Sequence, residues 1–322
     1  MNALLKHYIY NYKTESGTHY KKVSASFQVY GQEINTAPIV IINHALTGNS
    51  DVLSHDKGWW KELVGKAKLI DTNKYTVIAF NIPGNGYDGQ LFDNYKDFTT
   101  KDIARIFFST LQQQNIKQVY AIIGGSLGGG VTWEIASLYP TLAKYIIPIA
   151  SDWKSSDWVI AHNAIQESIL LNSSKPIEDA RKMALLFYRN PKSFAKKFNR
   201  TKTADNSIFN IESWLNHHAK TIKNRFEPKA YLMMNHLLSS INIIPKGKTL
   251  QDALSDIKST IIQISISSDL LFVPDEIKKT KLILDFLNIK NQYHEIKSID
   301  GHDAFLIEHK QITDFLSPIF NT

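Results

Sequence analysis

The sequence predicts an α/β protein in which a mainly parallel sheet is covered by helices on both faces and interrupted by a helical insertion. Three observations carry this. From Pro38 onward, short apolar runs suited to buried strands alternate with stretches of helical spacing. One of these strands passes into a helix through a glycine-rich turn, Gly124-Gly125-Ser126-Leu127-Gly128. Strand-like runs then vanish after Ser151 and return only near Thr260, with amphipathic helical stretches between. The expected division is a core of residues 1–151 and 257–322 with a helical lid of residues 152–256.

In order, Tyr8 to Tyr12 and Tyr20 to Tyr30 alternate β-formers with polar residues around Glu15-Ser16-Gly17, which reads as an antiparallel hairpin. Pro38 to Ile42 and Tyr75 to Phe80 are buried strands, and the second ends in the turn Asn81-Ile82-Pro83-Gly84-Asn85-Gly86. Thr99 or Thr100 can cap a helix through about Gln114 with Ile103, Ile106, Phe107 and Leu111 on its apolar face. Val119 to Ile123 is the strand before the glycine turn, Val131 to Tyr139 the helix after it, and Tyr145 to Ile149 the next strand. Helical spacing in the insertion covers Val159 to Leu171, Ile177 to Tyr188, Ile211 to Asn224 and Tyr231 to Ser240. Thr260 to Ile266 resumes the sheet, followed by a helix from Asp275 to Leu287, a strand from Tyr293 to Ile299 and a C-terminal helix.

With 322 residues and 43% apolar content, the chain can bury a large core. The absence of Cys removes disulfides, thiolate zinc sites and cysteine nucleophiles. No apolar run is long enough to span a bilayer, and Met1 to Tyr10 does not read as a leader, so a cytoplasmic protein without membrane partners is expected. The formal charge of +7 is dispersed without a basic block, which argues against nucleic acid and suits small anionic ligands.

The chemistry centres on Gly124-x-Ser126-x-Gly128. Such a turn lifts a serine hydroxyl above the sheet, and a side chain at either glycine would crowd the adjoining strand and helix. A serine hydroxyl needs a base, and His302 and Asp269 follow in the order nucleophile, acid, base, each after a strand. Asp275, Asp300 and Asp303 are rival acids; Asp269 is preferred because it directly follows a strand. The amide of Leu127 and one from the loop after Ile42 would hold an oxyanion, while His44 in that loop reads as structural.

Four motifs add a resemblance: His44-Ala45-Leu46-Thr47-Gly48, Trp59-Trp60-Lys61-Glu62-Leu63-Val64-Gly65, Gly124 to Gly129, and Gly301-His302-Asp303-Ala304-Phe305-Leu306. Together with Phe187-Tyr188-Arg189, Ile211 to Leu215 and Arg225-Phe226, they resemble the homoserine O-acetyltransferase family. The resemblance implies an α/β-hydrolase fold with a helical lid, often dimeric. It implies transfer of an acetyl group from acetyl-CoA, as co-substrate, through an acyl-serine to the hydroxyl of homoserine, with no metal and no permanently bound cofactor. By matching position, Ser126, Asp269 and His302 would be the triad and Leu46 and Leu127 the oxyanion amides. Arg189 would bind the amino-acid carboxylate and Asp303 the ammonium. The chain departs from the family pattern at Leu127, at Ile82 to Gly86 and at Glu227-Pro228-Lys229. A serine esterase, another hydroxyl amino acid as acceptor, a succinyl donor and a non-catalytic binder are the alternatives.

Overall fold

The computed structural model describes residues 3–320; residues 1–2 and 321–322 of the expected core lie outside the described residues. Strands β1 (Leu5–Lys13) and β2 (His19–Gly31) form the N-terminal antiparallel hairpin. The main sheet adds β3 (Ile39–Asn43), and two-residue strands β4 (Val64–Gly65) and β5 (Ile70–Asp71) pair with each other apart from it. Strands β6 (Thr76–Asn81), β7 (Val119–Gly125), β8 (Ala143–Ile149), β9 (Thr260–Ile266) and β10 (Asn291–Ile296) complete the eight-stranded order β1-β2-β6-β3-β7-β8-β9-β10. Pairing is antiparallel from β1 to β6 and parallel from there on.

Both faces of this sheet are buried, which is why its strands are continuous apolar runs. Side chains alternate along each strand. Ile41, Ile78 and Ile122 pack on one face beside Ile103, Ile106 and Phe107 of α1 (Thr100–Gln113) and Val131 and Trp133 of α2 (Leu127–Leu138). Val40, Ile42, Val77 and Ile123 face the other way, toward Phe305 and the residues Ile312, Leu316 and Phe320 near the C-terminus. The start of α1 is tied to the hairpin by Asp102. Its fully buried carboxylate accepts from Thr99 N and Tyr12 Oη at 2.8 Å each and from Glu15 N at 2.8 Å.

Between β8 and β9 lie α3 (Asp157–Asn172), α4 (Pro176–Tyr188), α5 (Pro191–Phe198), α6 (Asn210–Lys223), α7 (Pro228–Ser240) and the short α8 (Leu250–Leu254). Met233, Met234, Leu237 and Leu238 of α7 are buried in the same core as α1 and α2, so the insertion and the sheet layer are continuous. After β9 come α9 (Pro274–Phe286) and, beyond β10, α10 (His309–Phe320).

Three expectations are corrected. The helix after the glycine turn begins at Leu127 rather than Val131, because Gly128, Gly129 and Gly130 are helical; a Cβ there would meet Asn43 O at 2.2 Å, Ser151 Cβ at 2.5 Å and Ile241 Cδ1 at 2.3 Å. Close packing therefore outweighs the poor helix propensity of glycine. The last strand stops at Ile296 instead of Ile299, where Lys297 N leaves the ladder and donates to Gln311 Oε1 at 2.9 Å. Helix α5, which the spacing did not reveal, is only eight residues long and rests on local signals: Pro191 at its start and Asn190, whose side chain accepts from Lys192 N at 3.0 Å.

Candidate active site

Ser126 stands between the end of β7 and the first residue of α2, in a positive-φ conformation, φ 56° and ψ −123°. Such geometry costs roughly 1–3 kcal/mol and persists only where its surroundings over-determine it. They do so here. A Cβ on Gly124 would sit 2.3 Å from Gly128 O, a side chain on Gly128 would strike Asn43 O, and Ser126 N is held by Ile149 O at 2.9 Å.

The other two groups come from neighbouring strand ends. Asp269 follows β9 in a turn closed by its own N–H to Ile266 O at 3.1 Å. One carboxylate oxygen accepts from Leu271 N and Phe272 N at 2.7 and 3.0 Å, which leaves Oδ2 to accept from His302 Nδ1 at 2.7 Å. The Ser126 hydroxyl donates to His302 Nε2 at 2.8 Å. His302 lies in a 3-10 turn, Gly301–Leu306, where a loop was expected, and its ring is enclosed by Tyr188, Phe272 and Phe305. Burial works to lower its pKa, but the charge and hydrogen bond of Asp269, with the charge of Asp303, leave it raised above its ordinary 6.5.

Two amides complete the arrangement. The N–H of Leu127 opens α2 and that of Leu46 lies in the loop after β3, and within the described residues neither donates to a protein acceptor. The loop is braced from three sides. His44 Nε2 accepts from Ile82 N at 2.9 Å while its Nδ1 donates to Ala45 O at 2.7 Å; Gly48 N donates to Ala45 O at 2.8 Å; and Arg225 Nη1 donates to Thr47 O at 3.1 Å. Burial lowers the His44 pKa to about 4, so this histidine is a neutral structural brace.

The model of the alpha/beta hydrolase fold family matches residues 38–306. A homoserine O-acetyltransferase from Methanococcus vannielii is 32% identical over 94% of this chain and 70% of its own length. The chain belongs to the homoserine O-acetyltransferase family. Among solved structures, the homoserine O-acetyltransferase from Bacillus anthracis superposes with a TM-score of 0.88 at 18% identity, covering 100% of this chain and 99% of that one. Esterase E22 superposes with a TM-score of 0.86 at 17% identity, covering 99% and 100%. At those identities the two structures share the α/β-hydrolase fold with this family member.

The remaining family-derived residues divide. A cavity of about 90 Å³ opens at Ser126 and His302 and is lined by Leu46, Arg181, Tyr188 and Asp303 as well. Asp303 is thus beside the base and in the cavity; burial pushes its carboxyl up, against the charges of Arg181, His302 and Arg189. Arg189 is not among the lining residues. It caps the end of α4, with Nη1 3.7 Å from Asp300 Oδ1 and its guanidinium over the Trp214 ring at 5.9 Å. The basic side chain that lines the cavity is Arg181, which sequence reasoning missed. The available signal was its spacing: Arg181 precedes Tyr188 by seven residues and so shares its helix face. The motif at Phe187-Tyr188-Arg189 drew the assignment one residue past the helix, where the chain direction changes.

Proposed function

We propose that this chain transfers an acetyl group from acetyl-CoA, through an acyl-Ser126 intermediate, to the hydroxyl of L-homoserine. The observation that carries the reading is the unbroken Ser126–His302–Asp269 hydrogen-bond chain in a member of this family. Ser126 Oγ attacks the thioester carbonyl and passes its proton to His302 Nε2, with the Leu46 and Leu127 amides stabilising the oxyanion. Collapse expels the thiolate, which leaves with the proton from His302. The acceptor hydroxyl then gives its proton to the same nitrogen and attacks the acyl carbonyl, and His302 returns a proton to Ser126 Oγ. Asp269 holds the tautomer and stabilises imidazolium throughout.

The acceptor is a small zwitterion, with Asp303 taking the ammonium. A homodimer belongs to the same reading, supported by exposed apolar side chains on the lid: Trp158, Ile165 and Leu171 on α3 and Leu186 on α4. So does a cytoplasmic location; among the described residues no helix is long and apolar enough to cross a membrane. The test is a mass analysis of products after incubation with acetyl-CoA and a panel of hydroxyl amino acids. O-acetylhomoserine as the main product is expected, and free acetate with no acylated amino acid would overturn the assignment in favour of hydrolysis.

A further inference from the structure

We infer, resting on the acyl-Ser126 reading above, that Trp158 and Asn190 of the insertion are positioning residues for the catalytic acid: their side chains hold the turn that presents Asp269 to His302. After β9 the chain turns through Ser267 to Phe272 before α9 begins at Pro274. The N–H groups of this turn are satisfied locally. Asp269 N donates to Ile266 O at 3.1 Å, and Leu271 N and Phe272 N donate to Asp269 Oδ1 at 2.7 and 3.0 Å. The two carbonyls that flank Asp269 are taken by the insertion instead. Trp158, in the first turn of α3, donates from Nε1 to Leu270 O at 2.6 Å, and Asn190, which precedes α5, donates from Nδ2 to Ser268 O at 3.1 Å.

Each of these bonds grips one end of a rigid plane. The peptide group whose oxygen accepts from Trp158 carries, at its other end, the Leu271 N–H that holds Asp269 Oδ1; the group whose oxygen accepts from Asn190 carries the N–H of Asp269 itself. Because a peptide group is planar, fixing its oxygen fixes the direction of its N–H, and a bond at one end polarises the other. Oδ1 is thereby pinned, and Oδ2 is left facing His302 Nδ1 at 2.7 Å. The remaining sides of the turn are already tied: Gly301 N donates to Ser268 Oγ at 3.0 Å, and Thr280 Oγ1 of α9 donates to Asp152 Oδ1 at 2.8 Å. Neither Trp158 nor Asn190 lines the cavity at Ser126, so both act through the acid rather than on a substrate.

The variants must remove the donors and keep the packing. Trp158→Phe retains a ring to rest on Phe187, which lies 5.6 Å away, and Asn190→Ser retains an oxygen to cap α5 while losing the amide that reaches Ser268 O. The measurement is the acylation rate constant with p-nitrophenyl acetate across pH, taken per acylated site so that any loss of folded enzyme cancels, together with the KM for homoserine. Each variant should lose on the order of tenfold in acylation rate and the double variant about a hundredfold, with KM unchanged. The acid limb should move to lower pH, because Asp269 no longer supports the imidazolium in full. Among the described residues the charged and titratable groups around His302 are Asp269, Asp303, His162 of α3, and Arg181 and Tyr188 of α4, and neither substitution alters one of them. A wild-type rate in the double variant, or a loss with the acid limb in its wild-type place, would overturn the positioning role. A wild type that releases no p-nitrophenolate, or a Ser126→Ala variant that releases as much, would instead refute the nucleophile reading.

Discussion

At the scale of single residues, the proton's path runs through one nitrogen, His302 Nε2, and its availability sets the response to pH. The base works neutral and its pKa is raised, so kcat/KM should fall as pH drops through a value above 6.5. Asp269→Asn removes both contributions of that carboxylate and leaves burial opposed only by the charge of Asp303. The acid limb should then move to lower pH while the rate falls by on the order of 10⁴, because the tautomer is no longer held. An acid limb that stays put in this variant would show that another group titrates. Asp269 was legible because an acid placed directly after a buried strand has few other reasons to be there. Arg181 was not, because only the fold decides which arginine of a helix turns inward.

At the scale of elements, the oxyanion loop is stabilised from across the lid. Arg225, in the segment between α6 and α7, donates to Thr47 O, one residue beyond the Leu46 amide. Arg225→Ala should lower kcat by roughly ten- to a hundredfold through small displacements of that amide. The KM for homoserine should change little, since Arg225 does not line the cavity at Ser126; a change confined to KM would deny the bracing role. Gly128→Ala tests the turn itself. Its methyl would meet Asn43 O at 2.2 Å, and urea denaturation should show a loss of about 1–3 kcal/mol or more together with loss of transfer. Strands and long helices of this fold could be read from apolar periodicity. The segment between β3 and β6 could not, because β4 and β5 are only two residues long and Trp60 and Leu63 are buried by tertiary contacts rather than by a repeating pattern.

At the scale of the whole molecule, two buried carboxylates fasten the insertion to the core. Glu134 on α2 accepts from Thr100 Oγ1 at 2.9 Å and Asn242 N at 3.1 Å, and Asp152, where the chain leaves β8, accepts from Thr280 Oγ1 of α9 at 2.8 Å. Burial pushes both to about 7, from 4.5 and 3.8. Between those values the folded chain retains protons that the unfolded chain has released, so stability should decline as pH rises toward 7. Urea midpoints measured from about pH 5 to pH 8 should fall, with a shallower slope in Glu134→Gln; an unaltered slope would mean that Glu134 ionises without cost. Transfer itself demands that this assembled molecule carry the acetyl group on one oxygen between two substrates. The direct test is rapid quenching of wild type and Ser126→Ala with acetyl-CoA alone, followed by mass mapping of the acetylated peptide and a chase with homoserine. The expected result is a single acetyl on Ser126, absent from the variant and converted to O-acetylhomoserine in the chase. An acetyl group on another residue, or transfer that requires both substrates bound together and leaves Ser126 unmodified, would contradict it.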